Sequence, residues 1–434
     1  MLSTDCQVWA FVAGTVGFGW AAHAVAWFVS RRHEAFKNRC CEATACKATN
    51  KQLHTDGDAL VMGFRRHKFT WTSEHIPGHV IDGWERRGDA ADVLFKPGMG
   101  VGAFQDAVAE VSLLPAWVDW ALLDEGCCFF VQVWPFIFYS FGWAVLGGFG
   151  AESASAVLLH SRYWAAQGKE GRSDTWQRLR ETACWLFDIC VHGAEGFAAK
   201  GVSWKACLHV RYLHARTRAT LRNSKVWDTG KYGEPINQAQ LIGTLIGSSV
   251  LLLQGLQELA GRPLPSRKKE AYIHLCRVIG FLFGIDEDLN PNVCYARSKV
   301  VMECVFSHGI PAFPDQELTG KLARHICESV AQGVREEYKL PISPAVVAVP
   351  AWEFLGEAYA GAIGLPKPSK SAQFVGMCRM YLLKCLLLLY FLPGAPQVFE
   401  WILRRGFAHM VAGIRARQPQ CRFGAVCPFR DDKA

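Results

Sequence analysis

Along most of the chain the apolar positions recur every three or four residues, and strict apolar–polar alternation closed by hairpin turns is hard to find. From Trp71 onward this spacing predicts helices, stopped by breaker clusters at Lys96-Pro97-Gly98, Gly168 to Ser173, Asp228 to Pro235 and Gly261-Arg262-Pro263. The chain therefore reads as all-α, with eight or more helices in a main domain over residues 60–415. Ahead of it, residues 7–30 hold no Asp, Glu, Lys or Arg, a run long enough for a helix across a hydrocarbon core of about 30 Å. Arg31, Arg32, Lys37 and Arg39 follow at once, whereas residues 1–6 carry no positive side chain, as a cleaved secretory signal would. The expectation is a retained N-terminal transmembrane helix within residues 1–32. It would be a single pass with the bulk of the protein on the cytoplasmic side, followed by a polar linker over 33–59. Residues 416–434 read as a flexible tail.

Three further apolar stretches test that count of one anchor. Residues 127–151 and 235–257 are long enough to span, but Gln132, Pro135, Asn237, Gln238 and Gln254 inside them favour burial in protein, where polar groups find partners. Residues 381–392 are too short to span comfortably and read as a buried or interface-lying helix.

Composition changes this picture little. Half of the residues are apolar and 20% charged, which excludes a disordered or solvated rod-like protein. The net charge of +8 is spread along the chain and argues against nucleic acid as a partner. Seventeen cysteines occur without any C-x-x-C pair, so they read as buried free thiols and not as a zinc ribbon or redox motif. Metalloprotease, P-loop, hydrolase and kinase signatures are missing, and Gly98, Gly100 and Gly102 form only a fragment of a dinucleotide fingerprint with no strand before it.

The stretch 204–223, WKACLHVRYLHARTRATLRN, carries the most chemistry. On a helix Arg211, His214 and Arg218 share a face, beside a more apolar stripe of Val210, Leu213, Thr217 and Leu221. One imidazole flanked by guanidinium groups a turn away suits a haem b site, with His214 as iron ligand and Arg211 and Arg218 beside the propionates. An ordinary histidine on a basic helix face fits the same pattern. Upstream, Ser173 or Asp174 can cap a helix on which Arg178, Thr182 and Trp185 fall on one side. That side suits a polar wall over a haem, or an exposed helix rung.

The segment VRYLHARTR, residues 210–218, resembles the haem-ligand helix of the latex-clearing protein (rubber oxygenase) family, which includes membrane-bound oxygenases of fungal meroterpenoid pathways. LPAWVDW (114–120), QRLRET (177–182), EPINQAQLIGT (234–244) and AYIHLCRVIGFLFGID (271–286) match in the same order, and the N-terminal anchor resembles the membrane-bound branch. The resemblance implies a globin-like all-α core around one haem b with O2 as co-substrate, and His214 as proximal ligand with Arg218 four residues on. Arg178 and Thr182 would be the distal pair. Two positions depart from the rubber-cleaving members: Glu181 stands where they place a lysine, and Arg162 where they place a catalytic glutamate. Neither Glu152 nor Glu170 takes that glutamate's place by spacing.

Three functions remain open at this point. The first is a membrane-anchored haem oxygenase, at the endoplasmic reticulum, cleaving a C=C bond in a prenyl, terpenoid or other lipophilic substrate. The second is a haem protein with another oxidation or a sensing role. The third is a haem-free lipid-binding scaffold.

Overall fold

The computed structural model describes residues 114–161, 168–308 and 314–417, and every regular element among them is helical. The expected anchor, the linker, Arg162 and the tail beyond 417 lie outside the described residues. In chain order the helices are α1 (Trp120–Gly148), α2 (Glu152–His160), α3 (Gly168–Val191), α4 (Val202–Arg222), α5 (Thr229–Tyr232), α6 (Gln238–Ser248) and α7 (Val250–Ala260). They continue as α8 (Ser266–Leu282), α9 (Tyr295–His308), α10 (Thr319–Tyr338), α11 (Pro344–Leu355), α12 (Glu357–Ala362), α13 (Lys370–Tyr390) and α14 (Ala395–Arg417).

The core is organised around α1. Asp119 caps it, its carboxylate accepting from the Leu122 amide at 2.9 Å, and its buried residues, from Leu123 to Trp143, face α8, α11, α3 and α14. At Gly126 the backbones of α1 and α8 come so close that a Cβ would sit 2.3 Å from the Ala271 carbonyl oxygen. Any side chain there would push the two central helices apart. The apolar run 127–151 is thus an interior helix, as its polar residues predict: Tyr390 Oη donates to Gln132 Oε1 at 3.1 Å, and Gln132 Nε2 donates to Glu400 at 3.0 Å. Residues 235–257 also go inside, split into α6 and α7 by a break at Ser249.

Two local expectations change. The breaker cluster 168–173 does not stop a helix; α3 begins at Gly168, so Ser173 and Asp174 lie within it rather than capping it. Tertiary contacts hold this first turn and a half against its poor propensity: Arg172 Nε donates to Gln332 on α10 at 2.7 Å, and Lys169 lies 3.8 Å from Glu336. The apolar segment at 381–392 belongs to a longer helix. α13 starts at Lys370, has 21 residues and buries only 17% of its most apolar window, so by length and composition it could cross a membrane. So could α6–α7 taken together, though 67% of that window is buried in the protein.

Candidate functional site

One side of α3 is pinned to α10. Trp176 packs its ring over Gly333, where a Cβ would lie 2.2 Å from the indole, and its Nε1 donates to Glu337 at 3.1 Å. Arg180 meets the same carboxylate at 2.9 Å, and Thr175 Oγ1 lies 3.0 Å from His325 Nε2. With Arg172, Thr175, Trp176 and Arg180 committed there, the helical period turns Arg178 and Trp185 to another side of α3, with Thr182 between the two faces. Trp185 Nε1 donates to the Ala206 carbonyl at 3.3 Å.

On α4 the deeper stripe is the one that carries the arginines. Trp204, Cys207, Leu208, Arg211, Ala215, Arg218 and Leu221 are buried, with Arg218 at 0% and Arg211 at 7% exposure. Val210, Leu213 and Thr217, which looked the more apolar neighbours in the sequence, are only half-buried, as is His214. A fully buried guanidinium costs too much to be an accident of packing and requires anionic or polar company. The other potential axial ligands on this helix are poor bases or inert thiols. Burial pushes the Cys207 thiol far above its ordinary value and lowers His209.

A third element completes the site. The Phe283 ring, at the end of α8, stacks on Trp185 at 5.6 Å and meets the His214 ring edge-on at 5.8 Å. It therefore joins the two helices that carry the candidate residues. Its position is fixed by Gln238, fully buried at the start of α6, which donates to the Gly284 carbonyl at 2.8 Å and accepts from the Asp286 amide at 3.0 Å. Gly284 itself has φ +86°, which favours glycine. The middle of α8 is held by the 114–120 segment. The Asp119 amide donates to His274 Nε2 at 3.1 Å, and Arg277 lies 3.8 Å over the Trp117 ring. Burial pushes the His274 pKa down, which suits an imidazole that accepts a hydrogen bond.

The structure thus brings Arg178, Thr182, Arg211, His214 and Arg218 onto two packed helices. Thr182 Oγ1 donates to its own helix at the Arg178 carbonyl, 2.9 Å away, so its single proton is already committed. Glu152 accepts from the Asp315 amide at 2.7 Å and Glu170 is exposed, which leaves both outside this constellation. Phe283 was not singled out in the sequence, although it lies in one of the matching segments; its tight turn, Phe283-Gly284 after an amphipathic helix, was the available signal. Among the described residues no group of three or more His, Cys, Asp or Glu could cage a metal ion. A metal held at His214 therefore needs a carrier that supplies the remaining ligands, as a porphyrin does.

Residues 131–383 match the family described as ER-bound oxygenase mpaB/B'/Rubber oxygenase, catalytic domain. The chain belongs to this family of oxygenases. It is 25% identical over 334 residues to the rubber oxygenase of Streptomyces sp. (strain K30), covering 69% of this chain and 78% of that protein. The structure of latex clearing protein LCP in the closed state superposes with a TM-score of 0.50 at 19% identity, over 82% of this chain and 89% of that one. That likeness shows the shared all-α fold. The oxygenase reading of the sequence is thus supported at the level of enzyme class.

Proposed function

We propose that this oxygenase is a membrane-anchored, haem b-dependent enzyme that oxidatively splits a C=C bond in a prenyl, terpenoid or similarly lipophilic chain. The observation that carries the proposal is the pairing of the half-buried His214 with two buried guanidinium groups on the same helix. The residues present fit the group: one imidazole can ligate iron, and Arg211 and Arg218 match two carboxylates, a combination a purely structural helix has no reason to bury. Phe283 and Trp185 supply flat apolar surface beside the imidazole. When bound, haem iron supplies the redox chemistry with O2, which no amino-acid side chain can provide.

The chain's own residues then divide the remaining work. His214 is held by the edge-on Phe283 ring, which limits rotation of its imidazole. Arg178, half-buried on the neighbouring helix, would offer N–H donors where negative charge develops during the oxidation. The apolar side chains between α3 and α4 keep water away from the reacting double bond and favour an alkene chain over polar substrates. An N-terminal helix across 7–30 would hold the enzyme at the bilayer in which such a substrate partitions, the endoplasmic reticulum being the site we favour.

The test is an absorbance spectrum of the detergent-solubilised protein, oxidised, reduced and with CO, followed by product analysis with prenylated substrates. A Soret band that disappears in His214→Ala supports the haem reading. A colourless protein of unchanged fold refutes it in favour of a lipid-binding scaffold. A coloured protein that leaves prenyl double bonds intact points to a different oxidation or to sensing.

A further inference from the structure

Beyond its polar first turn, α13 presents an apolar face to solvent. Phe374, Cys378, Tyr381, Cys385, Leu388 and Leu392 follow one another at spacings of four and three residues, so they form a single stripe. Its first and last members face solvent, Phe374 at 41% and Leu392 at 55% exposure, as does Leu388 at 44%. The stripe continues around the turn into α14, where Val398, Trp401 and Ile402 are each more than half exposed. The turn is a projection and not a groove: Gly394 has φ +80°, and a Cβ added there would meet nothing within 4 Å. A contiguous apolar patch of this kind on a soluble surface marks an interaction site.

The opposite face of the same helix shows why the segment does not leave the protein. Gly376 packs so closely on Val349 of α11 that a Cβ would lie 2.2 Å away. Arg379 lies 5.1 Å over the Tyr139 ring, and the Lys384 ammonium sits beside Gly261 at the end of α7. Arg379 and Lys384 thus lean on the body, while Phe374, Val375, Leu388 and Leu389 face outward. That leaves an outward face far more apolar than is usual for a helix packed in water.

Charge identifies the occupant. Residues 370–405 carry one acid, Glu400, which Arg404 neutralises at 2.9 Å, and with Arg379 and Lys384 turned to the body, Lys370 and Arg405 are the cations left exposed there. Two exposed arginines border the tip with their guanidinium groups on aromatic rings, Arg262 4.5 Å over Phe391 and Arg405 4.3 Å over Trp401. An apolar wedge with a Trp at its margin and cations around it is complementary to the acyl and headgroup layers of an anionic leaflet. We propose that the outer face of α13 and its turn into α14 insert into one leaflet of an anionic lipid bilayer. The most apolar part of the tip lies beyond residues 131–383, which match the family. The proposal depends neither on haem nor on the N-terminal segment.

Photocrosslinking tests it on the full chain. p-Benzoylphenylalanine placed at position 392 or 402, both exposed enough to accept it without repacking, is irradiated after reconstitution into phosphatidylcholine vesicles with or without phosphatidylserine. The expected result is an adduct with the mass of a phospholipid at both positions and none at the exposed Val226. Reversal of the bordering charge, Arg262→Glu or Arg405→Glu, should lower the yield on anionic vesicles about fivefold each. An adduct of twice the chain mass would show a second copy on this face, and an intrachain adduct to residues 1–113 would show that the protein covers it itself. Either result, or no lipid adduct at any position, overturns the proposal. Because the readout is local, an adduct at 392 counts whether or not residues 7–30 anchor the chain, so this test and that of the proposed function fail separately.

Discussion

The helices α3 and α4 lie side by side, carry all five candidate residues and use their arginines in opposite ways. On α4 Arg218 is fully buried and Arg211 nearly so, at 7% exposure. On α3 Arg178 and Thr182 are only half-buried, and the arginines that are firmly tied, Arg172 and Arg180, face away toward α10. Burial at this depth fixes a charge in place at the expense of its hydration, which suits holding a permanent group. Partial burial leaves a side chain able to move toward a transient one. Under the proposed function α4 would hold the cofactor and α3 would serve the chemistry, and substitutions on the two helices should separate accordingly.

The largest effect should come from His214→Ala, which is expected to remove the haem or its native spectrum while the helices persist by circular dichroism. His209→Ala, five residues away on another side of the helix, should leave haem content unchanged. The reverse outcome would exchange the roles of the two histidines and break the division of labour between the helices.

Next in size is Arg218→Met. Deleting a fully buried charge strips its partners of their counter-charge, an effect of about 3–5 kcal/mol where it has been measured for buried pairs. The melting temperature of the haem-loaded protein should fall well below wild type, and by more than that of the haem-stripped protein. Equal losses with and without haem would make Arg218 a purely structural residue and remove one half of the comparison.

Arg178→Ala should leave the Soret band and melting temperature close to wild type yet slow turnover by on the order of 10²-fold, as for the loss of one preorganised donor. Thr182→Val should cost less than Arg178→Ala, because the Thr182 hydroxyl already donates to the Arg178 carbonyl. Single-turnover rates with a prenylated substrate would rank the two, and a loss of haem in either variant would contradict the assignment of α3 to the chemistry.

Much of this arrangement was readable from residue spacing. The 3.6-residue period gave the all-α class, and the i, i+3, i+7 set on α4 and the i, i+4, i+7 set on α3 turn out to share faces. Depth was not readable. Spacing placed Val210, Leu213, Thr217 and Leu221 on the more apolar stripe, but of these only Leu221 is buried, whereas Arg211 and Arg218 both are, since burial depends on which neighbours pack against a face. The same reason hid the role of Phe283, which joins α3 to α4 only through the turn held by Gln238. It also hid the start of α3, where contacts with α10 override local propensity.

The smallest expected effect lies at Glu181, and it defines the edge of the α3 surface. Glu181 is half-buried, accepts from Gln177 at 3.4 Å and is turned about 100° from Thr182 around the helix. Its link to Gln177, on the preceding turn, keeps it on the flank of the inner face. Glu181→Ala should therefore change turnover by no more than roughly twofold, since it removes a group that reaches neither the imidazole side nor a buried partner. Glu181→Lys is the sharper probe, because a lysine stem is longer and its neutral amine is an iron ligand. Its helical angle is about 60° from that of Arg178, so a flexible side chain from this position can swing over the same space. A fraction of six-coordinate low-spin haem in this variant, abolished by Glu181→Arg, would put position 181 within reach of the metal. An unchanged spectrum in Glu181→Lys together with wild-type turnover in Arg178→Ala and Thr182→Val would mean that α3 does not line the pocket, and α4 would then have to supply both the cofactor ligand and the donor.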